Sequence, residues 1–146
     1  MRALIAVLVL GIFSACGAHA ASRFEPSHQL GFSIGTPAGL NAEYMREFGE
    51  GAFFLSGAYF GSLYGAEAGV SVFRTGTMRK HMAIYLVAGH SFLRERNTRA
   101  KKRWTYGGVE VLLRRRRLFF APGISVGGGS YSNPQLMARI GFTWPL

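Results

Sequence analysis

The sequence predicts an all-β fold: an eight-stranded antiparallel up-and-down β-barrel that follows an N-terminal export signal. Two observations lead to this prediction. After residue 20, apolar residues alternate with small or polar residues in short segments, which is the period of a β-strand. Clusters of Gly, Pro and polar residues separate the segments, and no second apolar stretch is long enough for a membrane-spanning helix.

Residues 1–20 have the composition of a secretory signal peptide. Arg2 supplies the positive charge, residues 3–15 form an apolar run of about 13 residues, and the small residues of a cleavage site lie within 18–20. Such a run is short for a helix that spans a membrane. We therefore expect an exported protein in which residues 21–146 form a single β-barrel domain.

The only cysteine, Cys16, lies inside this segment, so cleavage after Ala20 would leave no thiol for a disulfide. A second interpretation stays open, because residues 13–16, Phe-Ser-Ala-Cys, resemble the cleavage box of a bacterial lipoprotein. In that case Cys16 would become the lipidated first residue. Both interpretations describe an exported chain.

Alternation defines the strands, and the turns between them are mostly short. The predicted strands are residues 28–35, 40–48, 52–60, 64–73, 82–92, 103–113, 118–127 and 137–146. The first, second and fourth strands each have one apolar face, and the third is apolar along nearly its whole length. These faces are Leu30, Phe32 and Ile34 in the first strand, Leu40, Ala42 and Tyr44 in the second, and Ala66, Ala68, Val70 and Val72 in the fourth. A polar connection, residues 75–80, follows the fourth strand.

The last four strands continue the pattern around the predicted barrel. The fifth is almost wholly apolar, and the apolar faces of the others are Val109, Val111 and Leu113; Leu118, Phe120, Ile124 and Val126; and Ala138, Ile140, Phe142 and Trp144. Pro122 lies inside the seventh strand, where it lacks a backbone donor, and it therefore predicts a bulge. The longest connection, residues 94–102, joins the fifth and sixth strands.

The polar face decides which way the apolar face points. A barrel in water would carry many charges on its polar face, but here that face is mostly Gly, Ala and Ser with isolated charges. Small residues suit the narrow interior of an eight-stranded barrel, and buried charges must pair with one another. The sequence therefore predicts a transmembrane β-barrel with an interior polar network of Glu43, Glu67, Glu110 and Arg139, with Arg46 or Arg114 as a further cation.

Aromatic residues near the strand ends agree with an outward apolar face. Aromatic girdles lie at the two interfaces of membrane barrels. The predicted girdle residues are Tyr44, Phe48, Tyr59, Tyr64, Phe92, Trp104 and Trp144. The alternative interpretation is that these are core aromatics of a soluble β-protein.

The last strand carries a recognisable pattern. Gly141, Phe142, Trp144 and Leu146 resemble the C-terminal strand signal of bacterial outer-membrane barrels, although Pro145 and a terminal Leu depart from the usual ending. With the signal peptide and the eight strands, the chain resembles small eight-stranded outer-membrane barrels, the class of the OmpA membrane domain and OmpX. The resemblance implies a location in the outer membrane of a Gram-negative bacterium and recognition of the last strand by the barrel-assembly machinery.

A basic loop suggests the partners. Residues 94–103 contain six cations and one Glu, and the cations are Arg94, Arg96, Arg99, Lys101, Lys102 and Arg103. With a periplasmic N-terminus this connection faces the cell surface, where guanidinium groups could bind the phosphates of lipopolysaccharide or other outer-membrane lipids. The alternative is a solvated loop without a dedicated ligand. Export argues against nucleic acid as a partner, despite four consecutive arginines at 114–117.

Catalytic and metal-binding patterns are weak. The chain contains no Asp, which excludes the usual EF-hand loop and Asp-based triad. His90 and Ser91 are the candidates for a lipid A deacylase-like enzyme, but adjacent strand residues point to opposite faces. The three histidines after residue 20 lack metal-site spacing, so we expect neither a metal nor a cofactor.

These observations predict a small, monomeric, non-enzymatic outer-membrane barrel with a structural or surface-interaction role. Its basic loops would contact anionic lipid head groups. Two alternatives stay open: a barrel enzyme that modifies lipid A, and a soluble exported barrel that binds an apolar ligand inside.

Overall fold

A computed structural model of the chain describes residues 27–49, 51–77, 80–94 and 101–146. These residues form eight β-strands and no helix. The strands are β1 (Ser27–Gly35), β2 (Gly39–Phe48), β3 (Gly51–Tyr59), β4 (Leu63–Thr77), β5 (Lys80–Arg94), β6 (Lys101–Arg115), β7 (Leu118–Gly129) and β8 (Gln135–Pro145). The predicted signal peptide, including Cys16, lies outside the described residues. No helix long and apolar enough to cross a bilayer occurs in the described part of the chain.

The eight strands close into one barrel in sequence order. Every pair is antiparallel, and β8 closes on β1 from Gln29 opposite Pro145 to Gly35 opposite Arg139. The amide of Leu146 donates a hydrogen bond of 2.9 Å to the carbonyl oxygen of His28. The all-β fold and the eight-stranded antiparallel barrel that the sequence predicts are thus confirmed. Strand β8 pairs with β7 as far as Phe142 and with β1 as far as Pro145.

The two ends of the barrel differ in what lies there. We call the end with the connections after β1, β3, β5 and β7 the loop rim. The end with Ser27, Leu146 and the connections after β2, β4 and β6 is the terminal rim.

The pleat separates an interior of ion pairs and packed apolar side chains from an apolar exterior. The buried ionisable residues are Glu43, Glu47, Glu67, Arg74, His81, Glu110, Arg114 and Arg139. Every strand contributes at least one large apolar side chain to the exposed surface: Leu30, Phe32 and Ile34 from β1, Leu40 from β2, Leu55 from β3, Val72 from β4, Leu86 from β5, Val109 and Leu113 from β6, Ile124 and Val126 from β7, and Leu136 and Ile140 from β8. The apolar face therefore points away from the barrel axis.

A β-bulge lies in β4, where the sequence does not predict one. The register of β4 against β5 shifts between Ser71 and Phe73, and pairing then continues to Thr77. The extra residue reverses the alternation of faces. Arg74 therefore points inward like Glu67, although the two positions differ in parity. The predicted polar connection at 75–80 is wrong, because most of it belongs to β4 and β5.

The predicted bulge at Pro122 is also wrong. Glu110 pairs with Gly123 on one side of Pro122, and Leu113 pairs with Phe120 on the other. Two pairs between them are missing, but the register is the same on both sides. The proline interrupts the ladder because it has no N–H, and the strand continues without an inserted residue.

Inward glycines provide room for aromatic rings in the narrow interior. A Cβ atom at Gly69 would collide with the ring of Phe54, which is fully buried. Gly89 lies in the same way beneath the ring of Tyr106, and Gly141 beneath Phe119. The small residues that the sequence assigns to the polar face thus complement large ones on facing strands.

We expect Gly69→Val to destabilise the barrel by about 1–3 kcal/mol, because the added side chain would collide with the buried ring of Phe54 and overpack the interior. Gly128→Val is the matched control, since no atom lies within 4 Å of a Cβ at that position. Denaturant unfolding of both variants measures the difference. Equal stability of the two variants would contradict the packing of Phe54 on Gly69.

Candidate functional site

A buried arginine binds three carboxylates at mid-barrel, and we call these four residues the Arg139 cluster. Arg139 Nη2 lies 2.5 Å from Glu110 Oε2, and Nη1 lies 3.1 Å from Glu43 Oε2. Its Nε lies 3.4 Å from Glu67 Oε1. The Arg139 side chain is only 1% exposed, so these charges interact with little screening by water. The structure therefore brings together the four residues of the predicted interior network.

Hydroxyl groups and an aromatic ring complete the surroundings of the Arg139 cluster. Ser33 and Ser56 donate to Glu43, the latter over 2.9 Å. Tyr106 donates to Glu67 Oε2 over 2.5 Å. The guanidinium carbon of Arg139 lies 3.9 Å from the ring centroid of Phe54, which is a cation–π contact. The carboxylates thus share one cation but have further donors.

A second group, the Glu47 cluster, lies toward the terminal rim. Glu47 Oε1 binds Arg74 Nη2 at 3.0 Å and Arg114 Nη1 at 3.3 Å. Arg74 also donates to the carbonyl oxygen of Gly49, and Arg114 donates to Thr143 Oγ1. On both β2 and β6 the two clusters are four residues apart, which corresponds to about 13 Å along a strand.

Sequence reasoning missed Glu47 and Arg74. Glu47 has the same parity on β2 as Glu43, and this signal was present in the sequence. Arg74 could not be placed by parity because of the bulge that precedes it. Of the two further cations considered, Arg114 points inward and Arg46 is exposed on the outside.

Charges in the interior nearly balance, and side chains fill the space around them. The described residues bury four Glu and three Arg in the barrel. Tyr85 and Leu112 are fully buried beside them. At the loop rim the β1–β2 turn folds inward, where Pro37 accepts a hydrogen bond of 2.8 Å from Ser91 Oγ. Arginine, aromatic and turn residues thus obstruct the lumen.

The outer surface at the loop rim carries a different arrangement, the β5–β6 cleft. This cleft has a volume of about 510 Å³ and is lined by Gly61, Ser62, Tyr64, His90, Phe92, Arg94, Lys101 and Arg103. The rings of Tyr64 and Phe92 stack with centroids 4.7 Å apart. Arg94 and Lys101 are directly opposite each other in the β5–β6 register. Cations and aromatic rings therefore meet on one outward face.

The predicted lipid-contact residues are only partly described. Arg96 and Arg99 lie outside the described residues. Lys102 alternates with Lys101 and Arg103 along β6, so it lies on the other face of that strand and does not line the cleft.

The two enzyme candidates point to opposite faces of β5. His90 lies on the outer face, where its Nδ1 is 2.8 Å from Thr105 Oγ1. Ser91 points inward to Pro37. No described carboxylate hydrogen-bonds to His90. The pair is therefore not arranged as nucleophile and base. Among the described residues, no group of His, Cys, Asp or Glu side chains is arranged so that it could hold a metal ion.

The aromatic residues divide into two outward groups and one inward group. Tyr59, Tyr64 and Phe92 cluster near the loop rim. Trp144 packs on Phe32 and Phe142 nearer the terminal rim. The predicted girdle position of Trp104 is wrong: its side chain is 5% exposed and lies inside the barrel against Tyr106. Its parity on β6 is that of Glu110, which points inward.

The C-terminal strand residues have distinct environments. Gly141 lies beneath Phe119 inside the barrel. Phe142 and Trp144 face outward, and their rings are 6.0 Å apart. Leu146 is exposed at the terminal rim, where its amide is bonded to β1.

Comparisons with protein-family models, with curated proteins and with solved structures each found no match to this chain. The closed barrel and its contacts are therefore the basis for a function.

We expect Arg139→Met to destabilise the barrel by about 3–5 kcal/mol, because it leaves Glu43, Glu67 and Glu110 without their shared cation. Arg115→Met is the control, since Arg115 is exposed at the end of β6. Adding E43Q, E67Q and E110Q to Arg139→Met should restore part of the loss, because it removes the unpaired charges. The measurement is the free energy of unfolding of Arg139→Met, of Arg115→Met and of the quadruple variant, each compared with the unaltered protein. A stable Arg139→Met variant, or a quadruple variant less stable than the single one, would contradict the role of the cluster.

Proposed function

We propose that this chain is a small exported β-barrel of a Gram-negative outer membrane, with a structural or surface-interaction role. The observation that carries the proposal is the inverted distribution of side chains. Ion pairs occupy the interior, and large apolar side chains of all eight strands point outward. Soluble monomers rarely expose a continuous apolar surface, whereas a lipid bilayer requires one.

Closure of the sheet supports the same proposal. Backbone groups in a bilayer have no water to bond, so only helices and closed barrels can span it. Here β8 pairs with β1 from Gln29 to Gly35, which is all of β1 except its first two residues. The strands are 9 to 15 residues long, and tilted spanning strands need about 9–11 residues.

Outward aromatic residues supply a further argument. Tyr59, Tyr64 and Phe92 lie at one end of the apolar surface, and Phe142 and Trp144 lie toward the other. On β5 and β6, the outward residues between the two groups include Leu86, Ala88, Gly107 and Val109, which are aliphatic or small. This is the distribution expected of two interfacial girdles around a hydrocarbon-facing band.

The alternatives have weaker support. A barrel that binds an apolar ligand inside needs an apolar cavity, but here ion pairs and packed side chains occupy the interior around Arg139. A lipid A-modifying enzyme needs an activated nucleophile, and His90 and Ser91 lie on opposite faces. The basic residues of the loop rim favour contact with anionic lipids. The C-terminal residues of β8, with the exposed side chains of Phe142 and Leu146, are the segment that assembly machinery would recognise.

The refolded protein should show heat-modifiable electrophoretic mobility. A closed barrel embedded in detergent resists SDS until it is boiled, because its backbone hydrogen bonds are all internal. We expect folding only in detergent or lipid, and a mobility shift between unheated and boiled samples. A folded monomer in plain buffer without a shift would contradict the proposal.

Fractionation of expressing cells tests the location independently. The full chain should sediment with the outer membrane. The matched control carries Leu8→Arg and Leu10→Arg, which place charges in the predicted apolar run of the signal peptide. Export of the control, or retention of the unaltered chain in the cytoplasm, would argue against the proposed route.

A further inference from the structure

The β5–β6 cleft concentrates positive charge that the described protein does not neutralise. Arg94 faces Lys101 across the β5–β6 ladder, and Arg103 is the next outward residue on β6. Like charges directly opposite each other destabilise a sheet. No described carboxylate forms an ion pair with any of the three. The arrangement would therefore be stabilised by an external anion.

Aromatic rings border these cations on the side toward the middle of the barrel. Phe92 lies opposite Arg103 in the ladder and stacks on Tyr64 at 4.7 Å with an interplanar angle of 16°. His90, the next outward residue on β5, lies 6.3 Å from Tyr64 between ring centroids. A ligand in this cleft would thus contact cations at one end and apolar rings at the other.

The outward surface continues below the rings as an apolar face. Away from the loop rim, the next outward residues of β5 after His90 are Ala88, which is opposite Gly107, and Leu86, which is opposite Val109. Small residues followed by aliphatic ones leave space for a chain that descends along the barrel wall. A free anion would use only the cationic end of such a surface, whereas an amphiphile would use all of it.

We propose that the β5–β6 cleft binds the phosphomonoester head group of a membrane lipid, with its acyl chain on the outward face of β5 and β6. This inference rests on the proposed function, because the loop rim must lie at the level of the head groups. A phosphomonoester carries about −1.5 to −2 charges and three acceptor oxygens, which matches several cations better than a phosphodiester with its single charge.

Titration of the protein with defined lipids tests this site. The full chain is expressed in a Gram-negative host, purified from the outer membrane in a zwitterionic detergent and freed of lipid. Native mass spectrometry then measures binding of didodecanoyl phosphatidic acid, with didodecanoyl phosphatidylglycerol and inorganic phosphate as the other arms. We expect phosphatidic acid to bind more tightly than phosphatidylglycerol, and inorganic phosphate to bind least.

Charge removal locates the binding. The variant R94Q/K101Q/R103Q should bind phosphatidic acid about tenfold or more weakly, because charge-assisted hydrogen bonds to phosphate are lost. The variant R115Q/R116Q/R117Q removes the same charge from the terminal rim and should stay within about twofold of the unaltered protein. If the triple loop-rim variant does not fold, the three single Gln variants replace it, and each should weaken binding.

Several results would overturn the inference. Equal binding of the two lipids, an unchanged affinity of the loop-rim variants, or an equal loss in the terminal-rim variant would each contradict a phosphomonoester site in the cleft. Heat-modifiability separates this failure from that of the proposed function. A heat-modifiable protein from the outer membrane without lipid preference refutes the cleft alone, whereas a chain absent from that membrane refutes both.

Discussion

The structure depends on the ion pairs of one buried arginine. Arg139 contacts Glu43, Glu67 and Glu110 in a space from which water is nearly excluded. Charges in such a place cost several kcal/mol each unless they are paired, so the four strands that carry them must meet at one level of the barrel. That requirement determines the register of β2, β4, β6 and β8 together. The Glu47 cluster repeats the constraint nearer the terminal rim. The inward glycines then leave the space that the aromatic rings fill.

An ionic interior also determines the exterior. Because side chains alternate along a strand, each inward charge or small residue leaves its neighbours on the outside. These neighbours include large apolar residues of all eight strands, and the proposed lipid environment would suit them. At the loop rim the apolar surface ends in aromatic rings and then in cations. This order complements the acyl chains, interface and anionic head groups of the bilayer that we propose. Interior pairing and the apolar exterior are thus consequences of a single alternating sequence.

Much of this could be predicted from the sequence because alternation is local. The eight strands and the inward direction of Glu43, Glu67, Glu110 and Arg139 follow from parity within each strand. The errors occur where parity alone is insufficient. The β4 bulge exchanges the inward and outward faces of the strand, so parity along β4 does not predict that Arg74 points inward. Pro122 interrupts a ladder without inserting a residue, a difference that depends on the partner strand. The position of Trp104 near a strand end predicts a girdle residue, but its parity is that of Glu110 and its side chain lies inside the barrel. The β5–β6 cleft depends on register between strands, which one segment cannot specify.

Quenching of tryptophan fluorescence by brominated lipids tests the inverted barrel most directly. The chain has two tryptophans: Trp144 faces outward, and Trp104 lies inside the barrel. Two single-tryptophan proteins, carrying Trp104→Phe or Trp144→Phe, are refolded into bilayers whose acyl chains carry bromine. We expect strong quenching where Trp144 remains and little quenching where Trp104 remains. Equal quenching of the two, or quenching of Trp104 alone, would contradict an apolar face toward lipid and an ionic interior.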